Sequence, residues 1–118
     1  DVIVTAHTMN DVAETLLLNL IRGAGSHGLS PFQRPLPLVA RPFVHFRKSE
    51  IKNFLVLEGI SHRIDRSNAS KRFTRNRVRH ELLPLLETFN PRIIETLSKT
   101  AHDIGRTTPK RAPIEFEA

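Results

Sequence analysis

Four arginines, Arg72, Arg75, Arg77 and Arg79, fall within eight positions of the stretch RFTRNRVRHELLP, residues 72–84. A guanidinium stays charged and grips phosphate oxygens through two donors at once. Read as a helix, the stretch places Arg72, Arg75 and Arg79 on one face, at i, i+3 and i+7. Arg77 points elsewhere, where Glu81 at i+4 can pair with it. No acidic residue lies at helical spacing from the other three. A solvated basic face is the ordinary explanation of a charge run. Here Val78 and Leu82 pin the helix to a core, and Asn76 and His80 sit among the arginines. Crowded, unpaired arginines repel one another and favour an anionic partner. Phosphate is the preferred reading, and periodicity leaves open whose phosphate it is.

A second candidate is AHTMNDVAET, residues 6–15. A strand-like run ends, a loop carries His7, and a helix begins at Asp11. Ligands of open α/β sheets bind outside the carboxyl ends of strands, and a helix N-terminus there favours anions. Asp11 can serve a magnesium ion that accompanies a polyphosphate, because magnesium takes one or two carboxylates plus phosphate oxygens. The plainer account is that Asp11 caps the helix, with Glu14 three positions on in a capping box, and that His7 is an ordinary loop residue. On pattern alone the plainer account is the better one.

A third stretch, RGAGSHG, residues 22–28, has glycines that allow close backbone approach to a ligand. It also reads as a helix stop and a loop. The Gly-Lys-Ser/Thr of a Walker loop is absent. The six histidines, His7, His27, His45, His62, His80 and His102, show no zinc-ligand spacing.

The elements that must position these residues follow from periodicity. Val2 to Ala6 is a short β-branched run of the kind found in a buried parallel strand. Such a strand needs neighbours on both sides, and mostly helices follow it, so upstream strands of a larger α/β protein are expected. Residues 11–22 form a helix with Val12, Ala13, Leu16, Leu17, Leu20 and Ile21 at helical spacing and Gly23 as its stop. Residues 23–42 are loop, with an extended piece at 36–39. A second helix spans 47–58, ended by Gly59, and residues 60–64 suggest a strand. A third helix spans 75–86, where Pro84 must kink it or end its regular bonding. Asn90 and Pro91 start a fourth, striped by Ile94, Leu97, Ala101 and Ile104. The run from Gly105 has no period and is expected to be a disordered tail.

The chain of 118 residues suits one domain with a modest core. Its net charge of +6 favours a phosphate-rich partner. It has no cysteine, which excludes disulfides and thiolate metal sites. Its apolar runs are far shorter than the ~20 residues that span a bilayer, so no membrane span is expected. The charge alone does not separate nucleic acid or nucleotide from an acidic membrane surface, and of these the expected partner is not a membrane.

Taken in order, AHTMNDVAET, RGAG, ARPFVHFRKSEI, DRSN and RFTRNRVRHELLPLLETFNP resemble the tRNA(Ile)-lysidine synthases of bacteria and plastids, members of the PP-loop ATP pyrophosphatase superfamily. The resemblance covers roughly residues 1–104 by pattern. It implies an α/β fold: the C-terminal strands of a partial Rossmann-like PP-loop ATPase sheet, followed by a mostly helical segment. On this reading residues 1–104 are the C-terminal portion of the catalytic domain and residues 105–118 the tail.

The resemblance also implies the chemistry. ATP adenylates the C2 carbonyl oxygen of the wobble cytidine in a tRNA(Ile) with a CAU anticodon, and the ε-amine of free lysine then attacks C2 and displaces AMP. Asp11 resembles the family aspartate near magnesium and the reacting centre. Arg79 resembles an arginine needed at the active site. His7, Asn10, Arg22, Gly23 and Gly25 would lie on the nucleotide side of the cleft. Arg72, Arg75, Asn76, Arg77 and His80 would shape the same wall or touch tRNA. The implied location is the cytoplasm, or the plastid stroma. The family's Ser-Gly-Gly-x-Asp-Ser phosphate loop is not in this sequence, and Thr8 and Val12 depart from many members. The chain alone is therefore expected to be inactive. The alternatives are another PP-loop tRNA-modifying enzyme, such as a thiolase, and a non-catalytic RNA-binding module.

Overall fold

The computed structural model describes residues 2–25, 29, 39–61 and 74–107. These form a mixed α/β structure, mostly helical. In chain order they are β1 (Ile3–Val4), α1 (Met9–Ile21), β2 (Val39–Ala40), α2 (Lys48–Leu57), α3 (Thr74–Arg77), a π-helical segment (Val78–Leu82), α4 (Leu83–Phe89) and α5 (Ile93–Thr107). The expected extended piece at 36–38, the strand at 62–64, Arg72, and the tail from 108 onward lie outside the described residues.

α1 is the centre of the structure. Every residue from Val12 to Leu18 is buried, because the apolar positions of VAETLLL leave no polar face wide enough to meet water. One side packs Ala13 and Leu17 against Val78, Leu83 and Ile94. The other packs Val12 and Leu16 against Ala101, with Val44, Leu97 and Ile104 around them. The stripe expected of the last helix is thus in place. α5 continues through Gly105 and Arg106 to Thr107, past the point where loss of period suggested a tail. A helix glycine is tolerated there because its neighbours Ala101 and Ile104 are already anchored on α1.

Helix ends follow local chemistry. α1 starts two residues before the expected position, with Thr8 as its N-cap. The capping box is Thr8 with Asp11, so Glu14 is not part of it and the expected Asp11–Glu14 box is corrected. At the other end Gly23 takes φ +83°. Its N–H reaches Leu20 O at 3.1 Å and that of Ala24 reaches Asn19 O at 2.9 Å, a Schellman stop. Gly59, at φ +69°, ends α2 the same way, through Val56 O and Leu55 O.

The strands depart from expectation. β1 is two residues long and pairs in parallel with β2, Ile3 opposite Val39 and Val4 opposite Ala40. Val2, Ile3 and Val4 are 62–65% exposed rather than buried. Among the described residues β1 has one neighbouring strand, and nothing covers its faces. Ile60 and Ser61 are not strand.

The third helix is continuous through Leu82 and Leu83, which keep helical backbone angles. It widens at Val78–Leu82, where Leu83 N–H bonds Val78 O, five residues back. The cause is Pro84. It has no N–H to offer His80 O, and its ring collides with that carbonyl in a regular α-turn. The wide turn accommodates both problems, and the helix continues to Phe89. Such turns recur at functional positions, and this one carries Arg79 and His80.

Candidate functional site

The sequence leaves Arg75 and Arg79 without an acidic partner. The structure supplies one from α1. Glu14 is 3% exposed, and its carboxylate receives Arg79 through two parallel bonds, Nε to Oε2 at 3.0 Å and Nη2 to Oε1 at 2.9 Å. Arg75 comes to the same carboxylate from one turn earlier, its Nη1 3.7 Å from Oε1. It also donates from Nη2 to Thr15 Oγ1 at 3.3 Å. Asp11 Oδ1 lies 4.0 Å from Arg79 Nη2. Two carboxylates on α1 thus face two guanidiniums on the third helix. The reading of these arginines as crowded and unpaired is corrected. They are crowded around a shared buried anion.

This electrostatic arrangement shifts Arg79. Its hydrogen bond to Glu14 raises the guanidinium pKa above its already high ordinary value, against the opposing effect of burial. The charges of Glu14 and Asp11 act in the same direction. Arg79 is a permanent, positioned cation. The bidentate contact uses two of its five N–H donors.

The N-terminus of α1 is closed by its own residues. Thr8 N–H donates to Asp11 Oδ2 at 2.7 Å, and Asp11 N–H to Thr8 Oγ1 at 3.4 Å. Met9 N–H donates to Phe46 O at 2.9 Å and Val12 N–H to Thr8 O at 3.2 Å. These four amides are therefore engaged within the protein. Asp11 keeps Oδ1 clear of the cap. One carboxylate oxygen fits a magnesium ion held mainly by polyphosphate oxygens and water. It does not fit a site built from protein ligands, and among the described residues no group of three or more acidic or histidine side chains could hold a metal.

The other residues singled out from sequence divide by position. His7 lies in the loop before α1, its Nδ1 3.1 Å from Thr5 Oγ1. Asn10 faces the same end, but its side chain accepts Lys48 N–H at 2.8 Å and so holds the start of α2. Arg22, Gly23 and Gly25 follow the far end of α1, roughly 16 Å along the axis from Asp11 at 1.5 Å per residue. Ile21, at their end of α1, lines a groove with Thr74 and Arg77 at the start of the arginine helix. Asn76 and His80 are half-buried on the third helix. Arg77 turns away and holds Glu81 at 3.2–3.3 Å, as its spacing suggests. It borders an open, largely apolar groove of about 370 Å³ formed with Ile21, Val78 and Leu85.

Glu14 and Thr15 are the site residues that sequence reasoning missed. The signal was present: a carboxylate inside VAETLLL, where every neighbour is buried, must find a cation to avoid a large desolvation cost.

Comparison with known proteins bears on these same segments. A sequence profile of the PP-loop domain matches residues 1–86, from β1 through the arginine helix. The chain belongs to the PP-loop domain family. Within that family it is similar to proteins named tRNA(Ile)-lysidine synthase. One from Geobacter sulfurreducens is 44% identical over 101 residues, which cover 81% of this chain and 21% of the relative. One from Porphyromonas gingivalis strain W83 is 40% identical over 104 residues, 86% of this chain and 23% of the relative. One from Gloeobacter violaceus is 40% identical over 104 residues, 83% of this chain and 32% of the relative. This PP-loop chain thus spans about a fifth to a third of the length of those relatives. Among the described residues, no helix is long and apolar enough to cross a membrane.

Proposed function

We propose that this chain is the C-terminal portion, residues 1–104, of the catalytic domain of a tRNA(Ile)-lysidine synthase, contributing the last strands of a Rossmann-like sheet. The observation that carries the reading is 40–44% identity, over more than four-fifths of this chain, to proteins of that name. In the proposed reaction the C2 oxygen of the wobble cytidine of a tRNA(Ile) with a CAU anticodon attacks the α-phosphate of ATP, and pyrophosphate leaves. The ε-amine of lysine then attacks C2, loses its proton, and AMP departs with the oxygen.

The roles of the chain's own residues follow from the geometry. Two carboxylates and two guanidiniums in one cluster can receive a cationic amine and an anionic phosphate with little net charge to offset. Arg79, fixed by Glu14, is pre-oriented toward charge that develops on phosphate or on the leaving AMP. Pre-orientation is what gives such a group its effect on rate. Arg75, its side chain 41% exposed, reaches solvent from the same site and suits a phosphate of either substrate. Asp11 would hold magnesium through Oδ1, the oxygen clear of the cap, and that ion would offset polyphosphate charge. Arg77 is 65% exposed and suits the tRNA backbone.

The test is binding of this chain to tRNA(Ile) bearing the CAU anticodon, against another tRNA, over a salt series. Salt-sensitive binding that prefers the CAU tRNA supports the reading. Equal binding to both tRNAs at every salt concentration favours a general RNA-binding module.

A further inference from the structure

We infer that Arg47 is a positioning residue for Asp11, acting as a two-pronged clamp at the start of α1. Its guanidinium reaches two other helices. Nη2 lies 3.3 Å from Glu87 Oε2 on α4, and Nη1 lies 3.6 Å from Glu95 Oε2 on α5. Its own N–H donates to Glu50 Oε1 at 2.7 Å, which fixes its backbone at the entry to α2.

Both sequence neighbours of Arg47 grip the first turn of α1. The carbonyl of Phe46 accepts Met9 N–H at 2.9 Å. The N–H of Lys48 donates to Asn10 Oδ1 at 2.8 Å. Residues 46–48 therefore hold residues 9 and 10, which lie between Thr8 and Asp11, the two members of the cap. The side chain between those two grips is the one anchored to α4 and α5. Asp11 is thereby referenced to the same helical frame that carries Arg79.

The anchor is not optimised for stability alone. Arg47 Nε and Glu95 Oε1 are buried without a hydrogen-bond partner, and each such atom carries a desolvation cost. Lysine cannot replace the arginine, because a single ammonium does not span two carboxylates on separate helices as a planar fork does.

The assignment of Asp11 to the reacting centre rests on the proposed function, whereas the clamp itself does not. Amide hydrogen exchange of this chain, which involves neither ATP nor tRNA, separates the two. In Arg47→Lys, and in the milder Glu87→Gln and Glu95→Gln, the amides of Thr8, Met9 and Asp11 are expected to exchange about five-fold faster or more. Amides of Leu16 to Leu18 and of α5 should be unchanged. Lys99→Ala, which breaks an exposed ion pair with Asp103 on α5 and spares both prongs and the backbone grips, should leave Thr8 and Asp11 protected. Unchanged protection at residues 8–11 in all three clamp variants would overturn the inference. An equal loss of protection throughout the chain would also overturn it, because it would make Arg47 a contributor to stability only.

Discussion

Glu14 on α1 and Arg79 in the π-helical turn are joined by two parallel hydrogen bonds of 3.0 and 2.9 Å. The acid is almost fully buried and the base is 21% exposed in its side chain. This contact ties the central helix to the arginine helix and determines where the site's fixed cation stands.

Removing the acid strands that cation. Breaking a buried pair from one side typically costs 3–5 kcal/mol. Arg79 retains Asp11 at 4.0 Å and some solvent, so Glu14→Gln is expected to cost about 3 kcal/mol, at the low end of that range. Urea unfolding checks it. A double-mutant cycle with Arg79→Gln should show a coupling above about 1 kcal/mol.

Pro84 is the reason the helix widens where Arg79 projects. Pro84→Ala returns an N–H that can bond His80 O, and the turn at Val78–Leu82 is expected to relax to regular α-helix. Arg79 then rotates away from Glu14, and the coupling measured by the same cycle falls although the helix itself is stabilised. A crystal structure of Pro84→Ala that keeps the Leu83 to Val78 bond contradicts this.

The arginines should separate in RNA binding. Arg77 is exposed and, among the described residues, paired through a helical i,i+4 contact, worth about 0.3–0.5 kcal/mol. Arg77→Ala is therefore expected to leave stability nearly unchanged and to reduce the salt slope of tRNA binding by about 1. Arg79→Ala should leave that slope unchanged, because Arg79 is engaged with Glu14. Titrations of both variants over a salt series decide between these outcomes.

A pH dependence comes from the contact between the loop before α2 and α5. The rings of His45 and His102 stack at 5.0 Å, 8° from parallel. Burial, then the neighbouring His45 and Arg106, lower the pKa of His102 below its ordinary value of 6.5, against Asp103. The unfolded chain therefore takes up this proton first as pH falls. Stability is complete above the ordinary value and is lost as pH falls through it toward the folded value. Thermal unfolding between pH 7.5 and 5 should show the decline, and His102→Gln should flatten it.

Helices were legible in the sequence because their signals are local. The stripe of Ile94, Leu97, Ala101 and Ile104, and the stops at Gly23 and Gly59, needed only spacing and turn chemistry. The start of α1 was misplaced because Thr8, Asp11 and Glu14 offer two capping boxes in overlapping register, and the structure selects the first. The exposure of Ile3 and Val4 could not be read, since β-branched runs look alike whether or not neighbours cover them. The pairing of Arg79 was hidden because it joins residues 65 positions apart. Helical spacing sees partners only within a turn or two.

The central claim is that this chain is working catalytic-domain sequence of a lysidine synthase. It is tested most directly by grafting the chain in place of the matching segment of the Geobacter sulfurreducens relative. Transfer of labelled lysine to tRNA(Ile) with the CAU anticodon, in the presence of ATP, is then measured. The account predicts ligation by the chimera and its loss in Arg79→Ala and Asp11→Ala. A chimera that folds and binds both ATP and tRNA yet transfers no lysine would contradict it.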